Sequence, residues 1–374
     1  MILGGWPIRL APLEGELLSS CLARNAYAHG STPYRFLNLF WERDPVWNRD
    51  FDRDPTVLLR VDRNPGATDW LEDLAERLGV PRRTVAEATL ADWRERLDGG
   101  LTRQACDTPL LLSAGVFHRD RTRHALQFCP DCLFEGTQHF RKSWRLGFMV
   151  ACDIHGTALL DACAWCDAAI VPHRSMTSRL VDCHRCGRSI FGPTGKQQTA
   201  SVPARSVALQ RHLFGLLHGD GGREPGPLSQ VEAFATVRAL LAVSAPPAMH
   251  RALRVAIGLG DDLVDEPERR RFEQARHSVR MPWLETVATW LDDWPRRFLI
   301  GAEAIGASQR TFARRCLPPS FARQVAQLPL GNARDRTWVP LLDEPVLRRL
   351  RRTDRAAYSR VRAARILEVC GGGG

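Results

Sequence analysis

Cys129-Pro130-Asp131-Cys132, Cys152-Asp153-Ile154-His155, Cys163-Ala164-Trp165-Cys166 and Cys183-His184-Arg185-Cys186 stand in succession along the chain, and their reading decides the fold. A gap of two residues lets both members of a pair face one ion from a tight turn, and two such pairs close a tetrahedron. Taken in order they make two complete zinc sites, Cys129, Cys132, Cys152 with His155 and Cys163, Cys166, Cys183 with Cys186, in a tandem zinc-ribbon arrangement. Spacing alone also permits the interleaved grouping, first pair with third and second with fourth. Disulfides are the competing use of so many cysteines. Against them, only seven of the eleven cysteines lie in the pairs, a histidine completes one set, and Met1 to Pro12 shows no secretory apolar segment.

Four protein donors saturate an ion, whereas a catalytic zinc keeps a position open for water. Two structural zinc ions are therefore expected, and no catalytic residue. Residues 125 to 190 contain few aliphatic runs, so metal-binding free energy takes the place of the core that such a segment lacks. Asp131, Asp153, Asp161 and Asp167 read as turn caps or as partners of ligand sulfurs and backbone. His118, His124, His139, His173 and His184 are spare histidines, but no H-E-x-x-H spacing organises them into a hydrolase. Cys21, Cys106, Cys316 and Cys370 are left over and read as small buried hydrophobes of a reduced, cytoplasmic protein.

The 374 residues carry a formal charge of +10, which suggests a polyanionic partner. From Trp294 onward there are sixteen Arg, no Lys and six acidic residues, an excess equal to that of the whole chain; Lys142 and Lys196 are the only lysines. The competing reading is a solvated arginine-rich face. No apolar run approaches the roughly 18 to 20 residues that span a bilayer, so no membrane is expected.

Outward from the cysteines the pattern is helical. Glu16 to His29 puts Leu17, Leu18, Cys21, Leu22 and Ala26 on one stripe and stops at Gly30. Thr32-Pro33 starts a second helix with Tyr34, Phe36, Leu37, Leu39, Phe40 and Trp41 as buried positions. Leu71 to Leu90 reads as a helix-turn-helix, with Ala75 at the close approach, Gly79 opening the turn and Arg82, Arg83 and Thr84 beginning the second helix, where DNA is touched. Its acidic residues Glu72, Asp73, Glu76 and Glu87 argue equally for a packing or protein-docking unit. Further on, Val231 to Val243, Trp283 to Trp294 and Phe298 to Cys316 repeat at helical spacing. In the last, Ser308 caps a helix that offers Arg310, Arg314 and Arg315 as candidate nucleic-acid contacts. The expected fold is mainly α with a small zinc-stabilised α/β centre. Its parts are an N-terminal helical domain over 1–105, the tandem zinc ribbons over 106–192, a linker over 193–230 and an arginine-rich helical domain over 231–374. The terminal Gly371 to Gly374 forms no packed element.

The motifs Trp6-Pro7, Glu16-Leu17-Leu18-Ser19-Ser20-Cys21-Leu22-Ala23-Arg24, Trp47-Asn48-Arg49-Asp50-Phe51-Asp52 and Leu126-Gln127-Phe128-Cys129-Pro130-Asp131-Cys132-Leu133 resemble, in this order, the TniQ family. Phe140 to Leu146, Cys152 to Gly156, Leu159 to Cys163 and Cys183 to Gly187 continue the resemblance over about the first 190 residues, and Trp294-Pro295-Arg296-Arg297-Phe298 is similar to a short motif of longer members. The resemblance implies a target-selection protein of Tn7-like transposons, related to TnsD. Such a protein is an adaptor between a target-recognition event and the AAA+ ATPase regulator that recruits the transposase. In one branch of the family the target is read as DNA; in another a CRISPR RNA-guided effector reads it and TniQ docks on that complex, often as a homodimer. All eight metal-ligand positions match the family pattern. The rival readings are a sequence-specific zinc-containing DNA-binding protein, either a direct target-site reader or a transcription regulator, and a zinc hydrolase. No Walker-type loop is present, so the ATPase is a separate chain.

Overall fold

The structure, a computed structural model, describes residues 5–40, 50, 52, 70–98, 108–114, 123–192, 201–219, 230–260, 271–313 and 317–331. Helices supply its regular structure: among the described residues β pairing is confined to isolated antiparallel bridges. The centre expected to be α/β thus consists of hairpins closed by single bridges. The ligand spacing explains this, because the few residues between His155 and Cys163 must end one hairpin and start the next, leaving no length for a ladder.

Helix α1 spans Leu18–Ala28 and ends before Gly30, whose φ of 65° turns the chain. It starts two residues later than its periodicity predicts, because Glu16 is used elsewhere. The buried Glu16 carboxylate accepts two hydrogen bonds from Arg24 (2.8 and 2.7 Å), one from the Ser20 hydroxyl (2.8 Å) and one from the Leu13 N–H. Leu17 then donates to the Phe140 carbonyl (2.8 Å), tying the start of α1 to the segment between the Cys129–Cys132 and Cys152–His155 pairs. One face of α1, Leu18, Cys21, Leu22 and Ala26, packs with Trp6, Phe36, Leu37, Leu74 and Val85 in an N-terminal core, while Leu17 and Ala23 join the main core. Each buried leucine here contributes about 1.5–3 kcal/mol, enough to fix the helix between two cores.

Helix α2, Pro33–Phe40, corrects part of the expectation: Phe36 and Leu37 are buried, but Tyr34 and Leu39 are exposed. Its buried face is narrow, formed by Pro33, Phe36 and Leu37, and apolar character alone does not turn the remaining side chains inward. The Phe40 side chain and Trp41 lie outside the described residues. Helices α3 (Trp70–Leu78) and α4 (Arg82–Glu87) flank a turn at Gly79 (φ 66°), and α5 (Ala91–Asp98) follows directly. Of the positions whose spacing predicts the core between these helices, Leu71, Leu74, Leu78, Val85 and Leu90 are buried, while Ala86 is half-buried.

After α6 (Pro130–Phe134) and the metal-ligand hairpins comes α7 (Ala204–His218), which lies inside the span 193–230 expected as a linker. That expectation is corrected. Leu213 and Leu217 are fully buried in the main core, and Gly219 ends the helix at φ 85°. Helices α8 (Gln230–Val243), α9 (Pro247–Ala256), α10 (His277–Leu291), α11 (Arg296–Ala304), α12 (Gln309–Phe312) and α13 (Pro319–Val325) complete the described chain. Ser308 and Thr311 form the capping box of α12. The Trp294–Pro295 peptide is cis, and the motif it belongs to serves packing: the Phe298 ring meets those of Trp290, Trp294, Phe312 and Phe321. The main core runs without a break from the metal-ligand segment through Phe148 and Phe234 to Phe321. Among the described residues no helix is long and apolar enough to cross a membrane.

Candidate metal centres

Three of the four pairs sit on the same turn. In each, the residue after the second ligand adopts positive φ and donates its N–H to the carbonyl of the first: Gly156 to Cys152 (2.9 Å), Asp167 to Cys163 (3.0 Å) and Gly187 to Cys183 (2.9 Å). The single bridges Ala151 to Ala158, Ala162 to Ala169 and Asp182 to Ser189 close these hairpins. Glycine takes this conformation without strain and aspartate tolerates it. At Asp167 the carboxylate also accepts two hydrogen bonds from Arg276 (2.8 and 2.9 Å). The fourth pair is different: Cys129 is the cap residue of α6, Pro130 its first helical residue, and Cys132 lies within its single turn.

The pairs group in order. Cys129, Cys132, Cys152 and His155 form one cluster, and Cys163, Cys166, Cys183 and Cys186 the other, with all ligand atoms of a cluster within 4.8 Å of one another. The interleaved grouping is thereby set aside. Bond lengths near 2.3 Å to sulfur and 2.0 Å to nitrogen give a tetrahedron with edges of about 3.8 Å between sulfurs and about 3.5 Å between sulfur and nitrogen. The observed edges follow these values: 3.5 Å for Cys132 to Cys152, 3.8 Å for Cys163 to Cys186 and 3.6 Å for Cys166 to Cys183. His155 Nδ1 stands 3.5, 3.3 and 3.6 Å from the sulfurs of Cys129, Cys132 and Cys152. A disulfide needs about 2.05 Å, and all seven of these cysteines are free thiols. Both clusters could hold a metal ion. Burial pushes the Cys183 thiol up to about 12, so without a cation its thiolate is disfavoured, and a dication bound among the sulfurs reverses that preference.

The surroundings orient the donors. His155 Nε2 is 3.0 Å from the Glu135 carboxylate, which fixes the ring with Nδ1 toward the sulfurs. Backbone N–H groups of His155 and Arg185 point at the sulfurs of Cys152 and Cys183 (3.4 Å each). Asp131 accepts from the Thr157 hydroxyl at 3.5 Å and Asp153 lies 3.9 Å from the Cys152 sulfur, while Asp161 and Asp167 turn toward Arg276.

Buried polar contacts join this centre to helices on both sides. On the N-terminal side Arg145 pairs with Asp50 (Nη1 to Oδ1, 3.0 Å) and Asp52 (3.5 Å) and donates to the Leu112 carbonyl; Asp52 in turn accepts from the Ser19 N–H at 2.7 Å. On the C-terminal side the fully buried Arg280 donates to the carbonyls of Gly147 (2.7 Å) and Ala275 (3.0 Å) and to Gln127 Oε1 (3.0 Å). The His277 N–H donates to Asp161 (2.6 Å), and its Nε2 lies 2.8 Å from the Val150 carbonyl. Gln210 of α7 accepts from the N–H groups of Val150 and Ala151 and donates to the Ala151 carbonyl. Sequence reading missed Gln210, Arg276, His277 and Arg280, since each meets partners 59 or more positions away and carries no local motif.

The candidate nucleic-acid residues are dispersed. Arg82 and Arg83 are exposed at the start of α4, with Arg82 3.8 Å from Glu72; Thr84 is half-buried. Arg310 is exposed on α12, which packs on α8, whereas α4 packs on α3 and α5. Arg314, Arg315, Cys106, Cys316, Cys370, His118, Lys196 and the arginine-rich stretch from 332 to the Gly371–Gly374 tail lie outside the described residues. Cys21 is buried, as expected.

Residues 7–159 match the family described as TniQ. The match contains the whole first cluster and ends before Cys163, the first residue of the second. No curated protein matches the chain.

Proposed function

We propose that this chain, whose residues 7–159 match the TniQ family, is a Tn7-like transposition-associated protein and within that system a non-enzymatic target-selection adaptor. In this reading Cys129, Cys132, Cys152 and His155 hold one structural zinc and Cys163, Cys166, Cys183 and Cys186 a second, in tandem zinc ribbons. One surface engages the target-recognition event, either a CRISPR RNA-guided effector or target DNA, and another engages the AAA+ ATPase that recruits the transposase.

The observation that carries the proposal is the pair of buried clasps on the metal-ligand segment, Arg145 with Asp50 and Asp52 on one side and Arg280 with Gly147 and Gln127 on the other. Buried ion pairs and hydrogen bonds of this kind favour one geometry, even with Arg145 Nε left without a hydrogen-bond partner among the described residues, so N-terminal and C-terminal helices are held as one body by the centre between them. Two weak contacts made by one rigid body act at high effective concentration, and neither alone suffices. Each cluster offers four protein donors, which leaves an ion no open position for a reacting water. The ions would supply folding free energy here, not a Lewis acid.

A second reading, a sequence-specific DNA-binding protein, draws on the exposed Arg82 and Arg83 at the start of α4. One experiment separates the two: co-purification of the chain with a co-expressed AAA+ transposition regulator, with and without target DNA or effector complex. An adaptor retains the ATPase only when the target component is present. Tight binding to target DNA alone, abolished by Arg82→Glu with Arg83→Glu and with no ATPase retained, refutes the adaptor and supports the second reading.

A further inference from the structure

From the outer face of the Cys163–Cys186 cluster we infer that the second knuckle pair is a docking surface for single-stranded nucleic acid, with Trp165 stacking an unpaired base and Arg185 and Arg188 meeting its phosphates. The two clusters share a backbone turn but differ at the tips. The first offers Asp153 and Ile154, exposed beside Glu135; the second offers Trp165 and, across the cluster, His184 and Arg185. Trp165 is 41% exposed although tryptophan is highly buried on average, and the Arg188 guanidinium lies over its ring at 4.7 Å from the centroid. Among the described residues Trp165 belongs to none of the hydrophobic core clusters. The position faces solvent, and its counterpart in the first cluster is aliphatic.

Charge selects the occupant. The acids of this module are engaged: Asp167 by Arg276, and Asp182 by Arg179 at 2.9 Å. Arg185 and Arg188 are exposed and have no ion-pair partner among the described residues. A flat aromatic rimmed by uncompensated guanidinium groups fits a polyanion whose bases are free to stack. Paired bases in a duplex already stack on their neighbours and offer no face to an indole. RNA and DNA single strands share this chemistry. The inference rests on the metal-held fold proposed above but not on the link to the ATPase.

The test is fluorescence anisotropy with the zinc-loaded full chain, a labelled 20-nucleotide mixed-sequence RNA, the same sequence as DNA, and a 20-base-pair duplex. Trp165→Ala should weaken single-strand binding about tenfold while Trp165→Phe retains most of it, as expected for loss of one stacked base. Arg185→Glu with Arg188→Glu should lower the slope of log affinity against log salt by about 1.4, two single-strand phosphate contacts. Ile154→Ala in the first cluster should change neither. Metal content and circular dichroism report that each variant is folded; should Trp165→Ala lose metal, the Trp165→Phe and arginine variants carry the test. The inference is overturned by a wild-type chain that binds neither single strand, by duplex binding as tight as single-strand binding, or by folded variants indistinguishable from wild type. Such a failure with ATPase co-purification intact removes this surface and leaves the adaptor standing.

Discussion

Replacing Arg280 by methionine tests whether the clasp between the metal-ligand segment and α10 holds the two together. The substitution keeps most of the volume and removes three hydrogen bonds. Ala275, in the same stretch as α10, can relax locally. Gly147 and Gln127 cannot, since both sit in the main core's wall beside fully buried Trp144 and Phe148. Two orphaned buried acceptors cost about 1–3 kcal/mol each, while relief of the buried guanidinium's desolvation and added apolar packing offset part of that. The net expectation is a loss of about 3 kcal/mol. For a chain of this length a urea slope near 3 kcal/mol/M is expected, so the unfolding midpoint of the metal-saturated protein should fall by about 1 M. Arg280→Lys, which reaches fewer acceptors and remains charged, should be no better. A methionine variant as stable as the parent would refute the reasoning, because it would mean that the buried cation only breaks even against a hydrophobe, as some buried ion pairs do.

Elemental analysis should find two equivalents of zinc in the parent and one in Cys183→Ser, with the tetrahedral cobalt(II) spectrum of the first cluster preserved; a parent with less than two, or one unaffected by strong chelation, contradicts the metal assignment. Burial pushes the Asp52 carboxyl up to about 6 against the pull of Arg145. A folded value above the unfolded one means stability present below about pH 4 and lost as pH rises through 6. Asp52→Asn should therefore gain on the parent by up to about 3 kcal/mol at pH 8, a gap that closes toward pH 4; a gap independent of pH would sink this account. Gly301→Ala would place a Cβ 2.5 Å from Trp290 Nε1 and 2.6 Å from Leu253 Cδ1, so thermal unfolding should show a loss of about 1–3 kcal/mol. An unchanged melting temperature would mean that the α9, α10 and α11 contact is looser than drawn.

What the sequence made legible was local. The two-residue gaps bring all eight donors into two clusters that could hold a metal, because such a turn is a property of consecutive residues, and the helical periods of α1, α3 and α8 are strong enough to survive packing. Tyr34 and Leu39 are exposed although apolar, since an apolar side chain does not say which way its helix faces. Helix α7 was hidden because its span is flanked by glycine-rich and polar residues, and its inward-facing Ser206 and Gln210 break the apolar stripe. The partners of Gln210 and of Arg276 belong to segments that only folding brings near. Likewise the single-bridge hairpins could not be told from short strands until the arms were seen to be shared.

Gln210 has an implication for how other molecules can approach. Its amide takes up both main-chain groups of Ala151 and the N–H of Val150, mimicking with one side chain the partner strand that this hairpin margin lacks. A margin so occupied offers no template for an incoming extended segment, which protects the hairpin against edge-to-edge aggregation and bars β-augmentation as a mode of recognition there. Visitors to this face must be met by turn tips and helix flanks instead.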